Sequence, residues 1–400
     1  VPEQTFGRQP GPFVPFVLAA CTAVSVLSTD LVAPSIPDLP AIFGSDIVTA
    51  QMTVSINLAA YALAQLVHGP LADNLGRRRL LTTAFAFFAV FSVFCALASS
   101  MDMLLAGRFL QGLCSSVPSV VIILIIRELY DGQDTVRVMG LYGATLGIAP
   151  AVGPLLGGYL HVWFGWSAGF WTIAALTLIV LGLFAAMIPE TLRNPQPLRF
   201  GAAAAGYRAL LRRPDYLRTA IALSLVFGAL YAFVATGPVI FIDLLGMPTQ
   251  RYGLTYIFVI AAFVLGNVVT SRLSGRLTAL QLVRAGALGA LLAGLALAGP
   301  SLAGINSILL ILAAMSFYAL GLGAVLAAGP IVLLDTVRDL PQGSASALLG
   351  SLQLGAAALA GYLSASFYDD SALSMSLTIA GFALAGALAI MVPHQVTAAE

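Results

Sequence analysis

Two ionisable side chains sit deep inside apolar runs: Asp30 in LSTDLVAP and Arg108 in LLAGRFLQG. A charge surrounded by hydrocarbon is expensive and is retained where it moves an ion or a substrate. At about 1.5 Å per helical residue, Asp30 lies roughly 9 Å from the outer end of its run and Arg108 roughly 8 Å from the outer end of its own. The two therefore share a depth layer. Burial favours the neutral acid while a nearby guanidinium favours the carboxylate, so this pairing can take up and release a proton. Two other readings fit the same residues: a static ion pair, and an aspartate at a wet outer rim.

A second group of residues has a different task. GPLADNLGRRR at 69–79 joins two apolar runs. Gly69 and Gly76 permit a tight turn and close helix approach. Asp73 can accept hydrogen bonds from a neighbouring helix N-terminus, and Arg77, Arg78 and Arg79 hold the membrane edge. A third group, Gly143, Gly147, Pro150, Gly153, Pro154, Gly157 and Gly158, falls in one run. Small residues at this spacing let helices approach closely, and the prolines interrupt the hydrogen-bond ladder. An ordinary packing face would show the same pattern. The remaining polar and aromatic candidates for a mostly apolar substrate pocket are Asn57, Tyr61, Gln111, Tyr142, Tyr231, Tyr256, Tyr318 and Gln353, alongside Asp30 and Arg108. Each of the eight is equally readable as a satisfied packing residue.

Composition says what must position these groups. The chain has 400 residues, of which 60% are hydrophobic and only 9% charged. A soluble domain carries about 25% charged residues, so the solvent here is lipid. The formal net charge of +1 gives no electrostatic case for a nucleic-acid partner. Twelve apolar runs long enough to cross a bilayer lie between residues 13 and 392. They include 13–36 with Asp30, 103–126 with Arg108 and 137–160 with the glycine series. Residues 1–12 lack the pattern of a cleavable signal peptide.

All 18 basic residues are arginine. Apart from Arg108 and Arg251 they fall at the N-terminus, in even-numbered connections or at their edges. The opposite side gathers Asp38, Asp46, Asp102, Asp243, Asp369 and Asp370. By the positive-inside rule both termini are cytoplasmic. The longest connection, 189–216, divides the spans into an N-terminal six-helix bundle, 1–188, and a C-terminal one, 217–400. Within it an arginine-flanked stretch, 200–213, has the character of an amphipathic surface helix. The halves echo one another: APSIPDL at 33–39 against GPVIFIDL at 237–244, and the 69–79 loop against GNVVTSRLSGR at 266–276. Parallel repeats of this kind predict a substrate site between the halves near the midplane.

Several chemistries lack their residues. There is no GxxxxGK[ST] phosphate loop, no HExxH and no GxSxG. Cys21, Cys95 and Cys114 read as small core residues and not as metal ligands. No cofactor and no metal is expected, and no enzymatic activity. A membrane-embedded enzyme or sensor would need a catalytic set or an appended domain, and the longest polar stretch is the 189–216 connection.

Four segments, STDLVAPSIP at 28–37, GPLADNLGRRR at 69–79, GRFLQG at 107–112 and GIAPAVGPLLGG at 147–158, carry a family likeness across the whole chain. The sequence resembles the major facilitator superfamily, and within it the twelve-span drug:proton antiporters of the Bcr/CflA type. The resemblance implies an all-α integral membrane fold of twelve transmembrane helices in two pseudo-symmetric six-helix bundles, rocking to give alternating access in a bacterial inner membrane. It implies proton-driven export of small amphipathic or apolar compounds by a monomer. A dedicated exporter of one metabolite or siderophore is the alternative. It assigns Asp30 and Arg108 to proton coupling, Asp73 and Arg77 to the inner gate, and Glu128 in IIRELY to the acidic partner of that gate. One departure stands out. A member of this branch carries a second carboxylate earlier in its first span, where this chain reads Cys21, Thr22, Ala23.

Overall fold

A computed structural model describes residues 11–392 except 193, 196, 199 and 341. The chain termini, Arg8, Arg193 and Arg199 lie outside the described residues. Among the described residues twelve helical segments are long and apolar enough to cross a membrane. In chain order the helices are α1 (Val14–Asp30), α2 (Leu39–Phe43), α3 (Ile47–Leu75), α4 (Arg77–Ala96), α5 (Met101–Ser115), α6 (Val117–Leu129), α7 (Gly132–Phe164) and α8 (Ala168–Met187). There follow α9 (Phe200–Leu211), α10 (Pro214–Pro238), α11 (Thr249–Leu273), α12 (Ala279–Leu302), α13 (Ile308–Asp335), α14 (Gln342–Ser366) and α15 (Leu373–Met391).

The first span is not one regular helix. Its α-helical part ends at Asp30, and Ala33–Asp38 continues as a 3-10 turn into α2. The cause lies in the sequence. In an α-helix the carbonyl of Asp30 would accept from the N–H of residue 34, and Pro34 has none; Pro37 and Pro40 repeat the defect. The seventh span ends in the same fashion, because after Pro238 the chain widens into a π-type turn, Val239–Leu244. The two irregular turns are the segments that echo one another in the sequence, and in the fold they touch. The fourth span is broken as well, at Ser116 between α5 and α6, with Pro118 opening the second piece. By contrast α7 continues as helix through Pro150 and Pro154 and extends beyond the expected 137–160.

Short connections force successive spans to reverse direction, so the Gly69–Arg79 loop marks one end of the bundle, here called the arginine-rich end. At the opposite end Asp46 opens α3. Its carboxylate accepts from the Thr49 backbone N–H at 2.8 Å and from the Thr49 hydroxyl at 2.7 Å, which holds its pKa below the ordinary carboxylate value. Among the first six spans, α1 packs on α7 and α8, α3 on α5, and α4 on α5 and α8. Among the last six, α10 packs on α14 and α15, and α13 on α11 and α12. The two most extensive contacts between these groups are α3 against α14 and α7 against α11.

Candidate functional site

The GRFLQG segment shows how a charge is brought into this bundle. A Cβ on Gly107 would stand 2.6 Å from the Cys95 sulfur, and one on Gly112 2.3 Å from the Asn57 carbonyl oxygen. Only glycines allow α5 to lie so close to α4 and α3. Between them Arg108 is 1% exposed. Its Nε donates to the Thr53 carbonyl at 3.1 Å, and one Nη donates both to the Ser28 carbonyl at 3.1 Å and to Gln111 Oε1. Gln111 passes the chain on by donating to Ser92 Oγ at 2.8 Å. Asn57 donates to the Arg108 carbonyl at 2.9 Å and accepts from the Thr29 hydroxyl at 3.2 Å. The guanidinium carbon lies 5.9 Å from the centre of the Phe170 ring. Two backbone carbonyls and one side-chain amide, from the first, second and fourth spans, thus replace water this cation has lost, which is the condition for burying it without an anion.

Asp30 is two residues beyond Ser28 and 6% exposed. Among the described residues it forms no ion pair: Arg108 is directed to the turn before it, close enough for the two charges to interact electrostatically. Both alternatives left open by the sequence are absent from this geometry, since the acid is neither paired nor at a wet rim. From the second half of the chain Tyr231, Tyr252 and Tyr256 also lie within its electrostatic reach.

The glycine series on α7 divides into two stripes. A Cβ on Gly153 would stand 2.6 Å from the Asp30 Cβ, and one on Gly157 2.1 Å from the Leu31 carbonyl oxygen, so this stripe seats α7 on the break in span 1. Gly158 faces α11, where a Cβ would meet the Thr249 carbonyl oxygen at 2.7 Å; Gly253 answers it at 2.2 Å from the Leu155 Cα. Gly143 and Gly147, nearer the arginine-rich end, have nothing within 4 Å. The halves therefore meet backbone to backbone at the end opposite the arginines. There His161 Nε2 also meets Asp38 Oδ2 at 2.6 Å, tying α7 to the 3-10 turn.

At the arginine-rich end Gly76, with φ at 94°, adopts a conformation that favours glycine and caps α4. Arg77 pairs with Asp73 and with Glu128, each at 3.0 Å, and donates to the Ala72 carbonyl at 2.7 Å. Gly69 sits inside α3 with open space around it and provides no close approach. The acid that serves a helix N-terminus is Glu190, not Asp73. Its carboxylate accepts from the backbone N–H groups of Arg77 at 2.9 Å and Arg78 at 3.1 Å. Asp73 instead lies one turn before Arg77 and is drawn to that guanidinium. Thr191 donates to Glu128, closing the cluster, and Arg78 reaches the Ala185 carbonyl. The only sequence trace of Glu190 is an acid directly after an apolar span, in IPET. Replacing Glu190 with Ala is expected to cost about 1 kcal/mol, the usual weight of an N-terminal cap. A thermal shift measured on the purified protein checks it, with Glu190→Gln, which keeps one acceptor oxygen, losing less.

The other pocket candidates separate. Asn57 and Gln111 belong to the Arg108 network. Tyr142 is buried; Tyr61, Tyr231 and Gln353 are half-buried. Tyr256 shares a 3.1 Å hydrogen bond with Tyr252 in an aromatic group that includes Phe233 and Phe241. The sequence reading missed Tyr252. Tyr318 is fully buried, and its hydroxyl donates to the Val226 carbonyl at 2.6 Å, tying α13 to α10. A hydropathy profile cannot say which way a tyrosine on an apolar helix turns.

Both the sequence and the fold have relatives among known proteins. The chain is 28% identical over 356 residues to the bicyclomycin resistance protein homolog of Haemophilus influenzae, covering 86% of this chain and 87% of that one. It is 30% identical to the multidrug transporter MdfA of Yersinia pestis, covering 88% and 86%. The fold superposes on a crystal structure of the peptide transporter POT in complex with alafosfalin with a TM-score of 0.74 at 16% identity, covering 98% of this chain and 96% of that one. Residues 18–361 match the Major Facilitator Superfamily, and with twelve membrane-spanning helices the chain belongs to that family of transporters and is not an enzyme.

Proposed function

We propose that this protein is a proton-coupled exporter of small amphipathic or apolar compounds, working in a bacterial inner membrane with its arginine-rich end in the cytoplasm and both termini there. The observation that carries the coupling is the buried Asp30, which forms no ion pair among the described residues, beside an Arg108 whose Nε and one Nη donate to two carbonyls and an amide. An acid so placed can exchange a proton without first breaking an ion pair. With this orientation the packed contact of α7 and α11 is the outer gate, and the Asp73, Arg77, Glu128 and Glu190 cluster belongs to the inner gate. The N-terminal bundle, 1–188, and the C-terminal bundle, 217–400, rock about the site as a monomer. The names of the relatives supply the substrate class.

In the cycle, Asp30 takes a proton while it faces the acidic outer compartment. After the halves rock, substrate entering from the cytoplasm or inner leaflet favours release of that proton inward. Each proton moving inward gains about 2.3 kcal/mol per 100 mV, in addition to the pH term. A narrower reading, one dedicated metabolite or siderophore, draws on the buried Cys21 and Thr22, where a second carboxylate would otherwise widen cation recognition. Uptake of a chemically diverse panel into proteoliposomes under an imposed pH gradient tests both. Gradient-dependent movement of several unrelated compounds is the expected result. Movement of one class only favours the narrower reading, and gradient-independent movement removes the coupling.

A further inference from the structure

We infer that the connection between the halves is not a passive linker: α9 straps them together, keyed to span 2 by Tyr207, whose hydroxyl fills a backbone acceptor that Pro70 leaves open. The reasoning starts in the helix ladder. α3 continues through Pro70 to Leu75. The carbonyl of Leu66 would accept from the N–H of residue 70, and proline has no N–H to give. Tyr207 donates to that carbonyl at 3.0 Å, from a helix 141 residues further along the chain. Pro70 leaves this carbonyl without its helical donor, and the Tyr207 hydroxyl supplies the hydrogen bond in its place.

The rest of α9 holds the other half. Gly206 lies against α14, where a Cβ would be 3.6 Å from Ser344 Oγ, and Leu210 is fully buried. Immediately after α9, Arg213 pairs with Asp339 in the turn before α14, and Tyr216 donates to the Ala345 carbonyl at 2.7 Å. α9 therefore grips α3 through a single hydroxyl and packs on α14, while Arg213 and the start of α10 fix its far end to the turn before α14 and to α14 itself. The grip on α3 falls one turn before Gly69 and Pro70, where the gating loop begins. A rocking motion that shifts the arginine-rich end of α3 against α14 from the arrangement seen here must break the Tyr207 bond and expose an unpaired carbonyl. Tyr207 is thus a positioning residue that favours the arrangement in which the opposite end is closed.

The mechanical consequence rests on the alternating-access reading, so the test uses a conformational readout needing neither substrate nor gradient. After replacement of the native cysteines, spin labels at R137C and R272C, on the exposed arginine-rich ends of α7 and α11, report the separation of the halves by pulsed electron resonance in nanodiscs. Tyr207→Phe, which removes only the hydroxyl, is expected to lower the population with the longer separation about fivefold relative to the shorter, the weight of one hydrogen bond. Pro70→Ala restores the N–H and makes the hydroxyl redundant. In that background Tyr207→Phe is expected to change the ratio less than about 1.5-fold, since a pairwise coupling vanishes when one partner is already removed. No shift from Tyr207→Phe alone, or an equal shift in both backgrounds, overturns the strap. If proteoliposome transport fails while the shift and its cancellation stand, the transport reading falls and the strap does not.

Discussion

Proteoliposomes containing the Asp30→Asn protein are expected to show no pH-gradient-driven uptake, while counterflow of labelled against unlabelled compound persists. Asparagine has nearly the shape of aspartate and cannot carry the proton. Because Asp30 accepts no hydrogen bond from Arg108 and forms no ion pair among the described residues, its removal leaves no cation unpaired. The variant should therefore fold and retain its thermal transition, a case unlike the loss of one member of a buried pair, which costs about 3–5 kcal/mol. What disappears is the drive. For each proton exchanged per substrate, about 2.3 kcal/mol per 100 mV corresponds to about fifty-fold in the attainable concentration ratio. Full gradient-driven accumulation by Asp30→Asn at unchanged reconstitution removes Asp30 from the mechanism. Loss of counterflow as well would make the acid part of substrate binding instead of coupling.

How far this site was legible in sequence depends on how far apart its parts lie along the chain. The spans are written in runs of apolar residues, and the helices begin and end within a few residues of where hydropathy puts them. The flanking glycines of Arg108 are legible too, because a small residue next to a buried charge leaves few alternatives to close helix approach. The break at Asp30 was present as Pro34, Pro37 and Pro40, yet a hydropathy window runs through it, since proline costs hydropathy little and the hydrogen-bond ladder everything. Glu190 and Tyr207 were out of reach for another reason. Each meets its partner more than a hundred residues away, through a backbone N–H or carbonyl that any residue possesses. No residue type at position 77 or 66 advertises the contact. Tyr318 shows the converse: its type suggests a pocket, and only the rotation of α13 reveals that the hydroxyl reaches Val226.

Substitutions within the glycine series of α7 are expected to separate into two phenotypes, although the motif reads as one. Gly157→Ala would place a methyl 2.1 Å from the Leu31 carbonyl oxygen and 2.8 Å from its carbon, against backbone that cannot rotate away. The helix must move off the break in span 1, carrying the wall beside Asp30 with it. Overpacking of this kind costs about 1–3 kcal/mol, so a lowered thermal transition and impaired transport are expected together. Gly147→Ala meets no atom within 4 Å and replaces the poorer helix former, a gain of roughly 1 kcal/mol. Its position matters all the same. Residues 147, 151, 154 and 158 lie on one stripe of an α-helix, and Gly158 on that stripe touches α11 while Gly147 does not. If the halves rock, the arginine-rich parts of α7 and α11 must close when the opposite ends part, and Gly147 then takes the place Gly158 occupies here. Gly147→Leu is therefore expected to fold with an unchanged or raised thermal transition and yet transport at least about tenfold more slowly, the weight of one 1.4 kcal/mol clash in the closed state. Unimpaired transport by Gly147→Leu would mean that α7 and α11 never approach at that end.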